Sequence, residues 1–192
     1  MEITKEEKIF LLKLARKAIE HEFDPSVEIP QPDYEKYPIL KSRAGAFVTL
    51  NENNALRGCI GYIIGFGPLY ETVIEAAKQA AFGDPRFPAL VKPELDKIEI
   101  EISILSEPFP ISSYDEIVVG KHGLILEDFG RRALLLPQVP VEHGMNKEEY
   151  LSALCQKAGL HGNCWREKQL NLQAFTATVF DESELESNGE EP

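Results

Sequence analysis

No run of apolar residues in this 192-residue chain approaches the roughly 18 that a membrane-spanning helix requires, so no membrane partner is expected. Basic side chains are scarce: 20 Lys and Arg stand against 32 Asp and Glu, a net charge of −12. That field repels phosphate backbones, and nucleic acid is not an expected partner. Cysteine occurs three times, at Cys59, Cys155 and Cys164. An odd number at these spacings reads as reduced thiols in a cytoplasmic protein. The opening Met1-Glu2-Ile3-Thr4-Lys5-Glu6-Glu7 has no basic stretch leading into an apolar one, so no signal peptide is read there. There is no P-loop, no HExxH and no CxxC, and Gly61-Tyr-Ile-Ile-Gly65-Phe-Gly67 lacks dinucleotide-binding spacing. His161-Gly-Asn-Cys164 stands without a second Cys/His pair. Neither a metal nor a cofactor is expected.

What is present is ordinary for a globular protein: 43% apolar and 27% charged residues. A chain of this length can bury roughly 70% of the surface its unfolded form exposes, so it needs no metal or disulfide to hold it. Thr4 and Glu7 form a capping-box pattern, and Ile9, Leu12, Ala15 and Ile19 recur at helical spacing, which predicts a helix over about 4–22. Four prolines between Asp24 and Pro38 then forbid helix and central strand alike, so an extended surface crossing is expected. Strands are read at Gly45–Leu50 and Ala55–Ile60 around an asparagine turn, and a helix from Leu69 must end before Gly83-Asp84-Pro85. Ile98-Glu-Ile-Glu-Ile-Ser-Ile104 alternates as a strand with isoleucines inward and acids toward water. The series recurs as His122–Glu127, Arg132–Leu136, a helix over Lys147–Ala158 and a strand over Gln173–Phe180.

A single offset of 78 residues carries Gly45 onto Gly123 and Ala55 onto Ala133, and places the apolar faces of the two later helices in register. The fold expected is therefore α+β: two β-β-α-β units, duplicated, with mainly antiparallel sheets, about residues 43–106 and 121–181. Two such copies would pack about a pseudo-twofold axis with a ligand cleft between the halves. Residues 1–42 hold the first helix and the proline-rich crossing. The last twelve residues, 181–192, carry six acids and no base, and read as a solvated tail.

Chemistry concentrates in Leu56-Arg57-Gly58-Cys59-Ile60-Gly61. Arg57 and Cys59 lie two apart on a strand, so they should share a face, and an arginine beside a thiol lowers its pKa. Gly58 and Gly61 would let a ligand or another backbone approach. Gly83-Asp84-Pro85-Arg86-Phe87-Pro88 is a stiffened loop that either holds Arg86 for a forked grip on a carboxylate or phosphate, or merely crosses back to the next strand. His122 and His143 are the candidate bases should Cys59 be a nucleophile. The matching stretch of the second copy, Leu134-Leu-Leu-Pro137-Gln138, is apolar apart from Gln138, so polar chemistry belongs to the first half.

These motifs, together with Ser103-Ile104-Leu105, His122-Gly123-Leu124, Leu135-Leu136-Pro137-Gln138-Val139 and Trp165, resemble the AMMECR family from about Lys8 to Phe180. The resemblance implies one domain over 1–192 with a duplicated α+β unit and exchanged terminal strands. It implies partners of the Memo-like and radical S-adenosylmethionine classes, and it implies no established activity. Its motif positions here are Arg57, Gly58, Cys59, Gly61, Asp84, Pro85, Arg86 and Phe87, with His122, Gly123, Pro137 and Gln138 in the second half. The function expected is an accessory binding protein that holds a small anionic ligand or a partner peptide against Arg57, Arg86 and Cys59. The competing expectation is an enzyme with Cys59 as thiolate and His122 or His143 as base.

Overall fold

Thr4 starts the first helix, α1 (Lys5–Phe23), through the anticipated capping box: Glu7 N–H donates to Thr4 Oγ1 and Thr4 N–H to Glu7 Oε1, each at 3.1 Å. Glu7 is buried, and its other oxygen accepts Ile39 N–H at 2.9 Å, which fastens the helix start to the end of the proline-rich crossing. The computed structural model describes residues 2–188 and divides them into two compact units. One runs through Leu105 and takes up the chain again from Thr178; the other is Ser106–Ala177.

In the first unit, β1 (Ala44–Glu52) and β2 (Ala55–Ile64) form a hairpin whose turn residues Asn53 and Asn54 both take positive φ, 54° and 62°. Asparagine tolerates that conformation better than most side chains. Helix α2 (Leu69–Phe82) follows, then β3 (Ile98–Leu105), which pairs antiparallel with the free side of β1. Ile98, Ile100, Ile102 and Ile104 are buried, as their alternation predicts, while Glu99 and Glu101 are half-buried rather than fully in water. The core joins these isoleucines to Ala46, Val48 and Leu50 of β1, to Leu11, Leu14, Ala18 and Ile19 of α1, and to Val73, Ala76, Ala77 and Ala80 of α2. Small alanines on α2 let the helix lie close to its neighbours.

In the second unit, β4 (Phe109–Ile111) pairs with β7 (Leu172–Asp181), and β5 (His122–Asp128) pairs antiparallel with both β6 (Arg131–Leu135) and β7. Between β6 and β7 lie α3 (Gln138–Glu142), α4 (Lys147–Lys157) and α5 (Cys164–Glu167). Tyr150 of α4 is wholly buried and donates its hydroxyl to the His122 carbonyl at 3.0 Å, so this core carries a satisfied polar group. β7 starts in the second unit, and its last residues, from Thr178, belong to the first, where Phe180 enters the core.

Two expectations are corrected. Cys155 and Cys164 are joined in a disulfide rather than held as separate thiols. The chain reverses after α4 at Gly159, φ +77°, and brings the two Cα atoms to 6.4 Å, within bridging reach. The tail is not wholly a frayed end either. Asp181 closes β7, and Glu182–Asn188 form α6, held by Glu182 accepting from Arg16 Nε at 2.7 Å and from Ile100 N–H at 2.7 Å. Residues 189–192 lie outside the described residues. Among the described residues no helix is long and apolar enough to cross a membrane.

Candidate functional site

The hairpin register explains why Arg57 departs from simple alternation. Leu50 faces Gly58 and Asn51 faces Leu56, so a bulge leaves Arg57 as the extra residue between them. Its side chain turns into the unit instead of lining up with Cys59. Nε donates to Glu94 Oε2 at 2.7 Å, and Nη2 donates to Glu94 Oε1 at 3.1 Å and to the Pro88 carbonyl at 2.8 Å. This fork is the geometry a guanidinium prefers with a carboxylate. Arg57 is buried, and its Nη1 has no acceptor among the described residues. The Arg57 hydrogen bonds hold the Glu94 carboxyl down to about 2. Glu52, whose Oε2 lies 4.0 Å from Arg57 Nε, shares a hydrogen bond with Glu94, and that sharing pushes its carboxyl up.

Cys59 lies opposite Thr49, on the face of the sheet away from α2, and its Sγ accepts from Thr49 Oγ1 at 3.2 Å. Its backbone is gripped by the loop after α2. Cys59 N–H donates to Asp84 Oδ2 at 3.0 Å, and Arg86 Nη2 donates to the Cys59 carbonyl at 3.4 Å. Asp84, with a side chain 2% exposed, also accepts from Arg86 N–H at 3.0 Å, from Nε at 3.1 Å and from Nη2 at 2.8 Å. The Arg86 bonds hold the Asp84 carboxyl far below the usual range against the cost of its burial. The result is a plate in which Asp84, Arg86 and the Cys59 backbone fix one another. Phe87 lies half-buried between the two arginines, with its ring centre 5.5 Å from Arg86 Cζ and 5.9 Å from Arg57 Cζ.

The thiol behaves opposite to the expectation set by Arg57. Burial pushes Cys59 up, more than the Thr49 hydrogen bond and the Arg86 charge pull it down. Arg57 is paired with Glu94, and the charges that act most on the thiol are those of Arg86, Asp84 and Glu101. The two glycines have neighbours in the fold itself. A Cβ on Gly58 would strike the Ala80 carbonyl of α2, and one on Gly61 would strike the Ala46 carbonyl and the Phe47 ring. Close packing of chain on chain accounts for both.

Arg57, Gly58, Cys59, Gly61, Asp84 and Arg86 all belong to the first unit, whereas His122, His143 and Gln138 belong to the second. His122 is buried, and its Nδ1 accepts Val118 N–H at 3.0 Å. The neutral ring then carries its proton on Nε2, so the remaining nitrogen is a donor rather than a base. Burial also pulls its pKa down. His143 caps the end of α3 in an exposed position, and Gln138 stands half-buried at the start of that helix. Glu94, Glu52 and Thr49 complete the first-unit network, and sequence reading did not single them out. Glu94 follows an irregular loop, where no periodicity marks which side a carboxylate takes.

Comparison with known proteins places this arrangement. The AMMECR1 family matches residues 12–180. A protein of Thermococcus gammatolerans is 44% identical over 183 residues, covering 90% of this chain and 89% of its own. Protein MK0488 of Methanopyrus kandleri is 43% identical over 195 residues, covering 96% and 92%. The crystal structure of protein PH0010 from Pyrococcus horikoshii matches with a TM-score of 0.82 at 41% identity, covering 95% of this chain and 94% of that one.

Proposed function

We propose, for a chain that belongs to the AMMECR1 family, a binding function in which Arg86 receives the anionic group of a small ligand or of a partner's peptide. One observation carries it. The Arg86 side chain is 56% exposed, yet Nε and Nη2 are held by Asp84 and the Cys59 carbonyl, while Nη1 has no partner among the described residues. A guanidinium fixed on one edge and open on the other presents donors at little further entropic cost. The half-buried Phe87 ring, 5.5 Å from Arg86 Cζ, gives this ledge an apolar neighbour. Arg57 takes the role of a strut for the loop that carries Arg86, through Glu94 and the Pro88 carbonyl.

The duplicated architecture stays part of this reading. β5 starts 78 residues after β1, and α4 starts 78 residues after α2, which supports two copies of one unit. The expected exchange of final strands is corrected, since β3 pairs with β1 and β7 with β5, each within its own copy. The ledge itself is defined within the first copy, so the binding proposal requires no cleft. Memo-like and radical S-adenosylmethionine proteins are the proposed partners on family resemblance alone. The cytoplasm is the proposed setting on the reading of the opening residues, the cysteine part of that reading having been corrected by the Cys155–Cys164 bond. Catalysis by a Cys59 thiolate is the weaker reading, because burial opposes the thiolate and His122 offers a donor.

A thermal-shift series with inorganic phosphate and with di- and tricarboxylates tests the ledge. At least one anion should raise the melting temperature, Arg86→Ala should abolish the rise, and Cys59→Ser should keep it. A rise of unchanged size in Arg86→Ala, or no rise with any of these anions, rejects Arg86 as the anion receiver.

A further inference from the structure

Helix α1 carries a second, separate surface. Its core stripe is formed by Leu11, Leu14, Ala15 and Ala18, so Ile9 falls outside it and is 44% exposed. With α6 this side of α1 makes a groove of about 350 Å³, walled by Ile9, Leu12 and Leu185 and rimmed by Lys13 and Lys17. Ile9, Lys13 and Lys17 follow one another at four-residue steps, so they form one row along the helix.

The charges in this groove do not cancel. Arg16 is committed to holding α6: Nε and Nη2 donate to Glu182, Nη1 to the Leu95 carbonyl and Nη2 also to the Ile98 carbonyl. That bonding neutralises Glu182, the acid that lines the groove. Lys17 reaches Glu20 of its own helix at 3.2 Å, a half-buried pair within one turn of the helix, of modest strength. Among the described residues no carboxylate lies within ion-pair distance of Lys13. In a protein of net charge −12, an apolar trough edged by two ammonium groups one turn apart is a local inversion of the surface. Its volume lies at the lower end of the range for small-molecule pockets, about 300–1,000 Å³.

We propose that this groove binds a single-chain anionic amphiphile of the fatty-carboxylate class. The alkyl chain lies along Ile9, Leu12 and Leu185, and the head group lies between Lys13 and Lys17. This site is independent of the Arg86 ledge, and loss of either leaves the other standing.

Calorimetric titration of the full chain with monomeric dodecanoate tests it, with hexanoate and dodecyltrimethylammonium as controls. Dodecanoate should bind with saturable one-to-one stoichiometry, hexanoate at least about tenfold more weakly for its missing methylenes, and the cationic amphiphile not at all. The doubly substituted Lys13→Glu, Lys17→Glu chain should bind dodecanoate about tenfold more weakly, and Ile9→Asp should do the same. Ile9 and Lys13 are exposed and Lys17 is half-buried, and an unaltered melting temperature verifies the fold. Dodecanoate binding that ignores these substitutions, or capture only by dodecanoate-containing vesicles, overturns the proposal. So does binding that emerges only when residues 189–192 are deleted, since the chain's own terminus is then the occupant.

Discussion

The two outer strands, β2 in the first unit and β6 in the second, face the same physical problem and solve it with different chemistry. Each pairs with one neighbour in its hairpin, and its other edge presents unpaired backbone groups. On β6 the side-chain donors are few: Lys157 Nζ donates to the Leu134 carbonyl at 2.6 Å and the Tyr150 hydroxyl to the Leu135 carbonyl at 3.3 Å, and Leu134–Leu136 are apolar. On β2 the same service is given by Asp84 and Arg86 together, which engage the Cys59 N–H and carbonyl, with Arg57 and Glu94 bracing the loop behind them. Closing an edge does not require two arginines, two carboxylates and a stacked phenylalanine. The surplus on β2 is what the proposed binding role of Arg86 would account for.

Breaking the two closures separately should give the largest contrast. Asp84→Ala strips the acceptor from a part-buried backbone N–H and from a guanidinium, and should lower stability by about 2 kcal/mol, read by chemical denaturation. Lys157→Met removes one exposed donor and should cost less than about 1 kcal/mol. Equal losses from the two substitutions would mean that β2 carries no more than an edge closure.

Acid should sharpen the same distinction. Asp84 and Glu94 are both held below their ordinary values, chiefly by hydrogen bonds from Arg86 and Arg57 respectively. A carboxyl depressed in the folded state stabilises it above the unfolded pKa, near 4 for these groups, and that stabilisation disappears as pH falls through the folded value. Stability should therefore decline from about pH 4 downward, through the value of about 2 for Glu94 and beyond. In Asp84→Asn the decline should be shallower. An identical pH profile in the substituted chain would remove Asp84 from the account of acid stability.

Much of the scaffold was legible in the sequence, because periodicity reports which face is buried. The Thr4–Glu7 box, the isoleucines of β3 and the asparagine turn follow from local rules alone. The site was legible as a place but not as a wiring. Alternation set Arg57 beside Cys59, and a single bulge opposite Leu50 and Asn51 undid it. Glu94 lies 37 residues from Arg57, and no local rule links positions that far apart. The Cys155–Cys164 bond was missed for a related reason: compartment and count argued against it, while only the reversal at Gly159 brings the two residues together. The helix α6 was hidden by composition, since Glu182 finds Arg16 and Ile100 only once the first unit has folded.

The smallest expected effect concerns the thiol. Burial raises Cys59, so the thiolate forms only above the pH at which an exposed cysteine ionises. Iodoacetamide should then label native Cys59 slowly near neutral pH, and the rate should climb at a pH above that of a small free thiol measured alongside. Thr49→Val tests the cause. It removes the hydroxyl that donates to Sγ, which is one of the contributions favouring the thiolate, so the labelling profile should move further upward by a modest step while Asp84 and Arg86 stay in place. Labelling that is instead rapid at neutral pH, and insensitive to Thr49, would identify an activated thiol and restore the enzyme reading. The β2 ledge would then be a reaction centre, and its contrast with β6 would be one of chemistry rather than of binding.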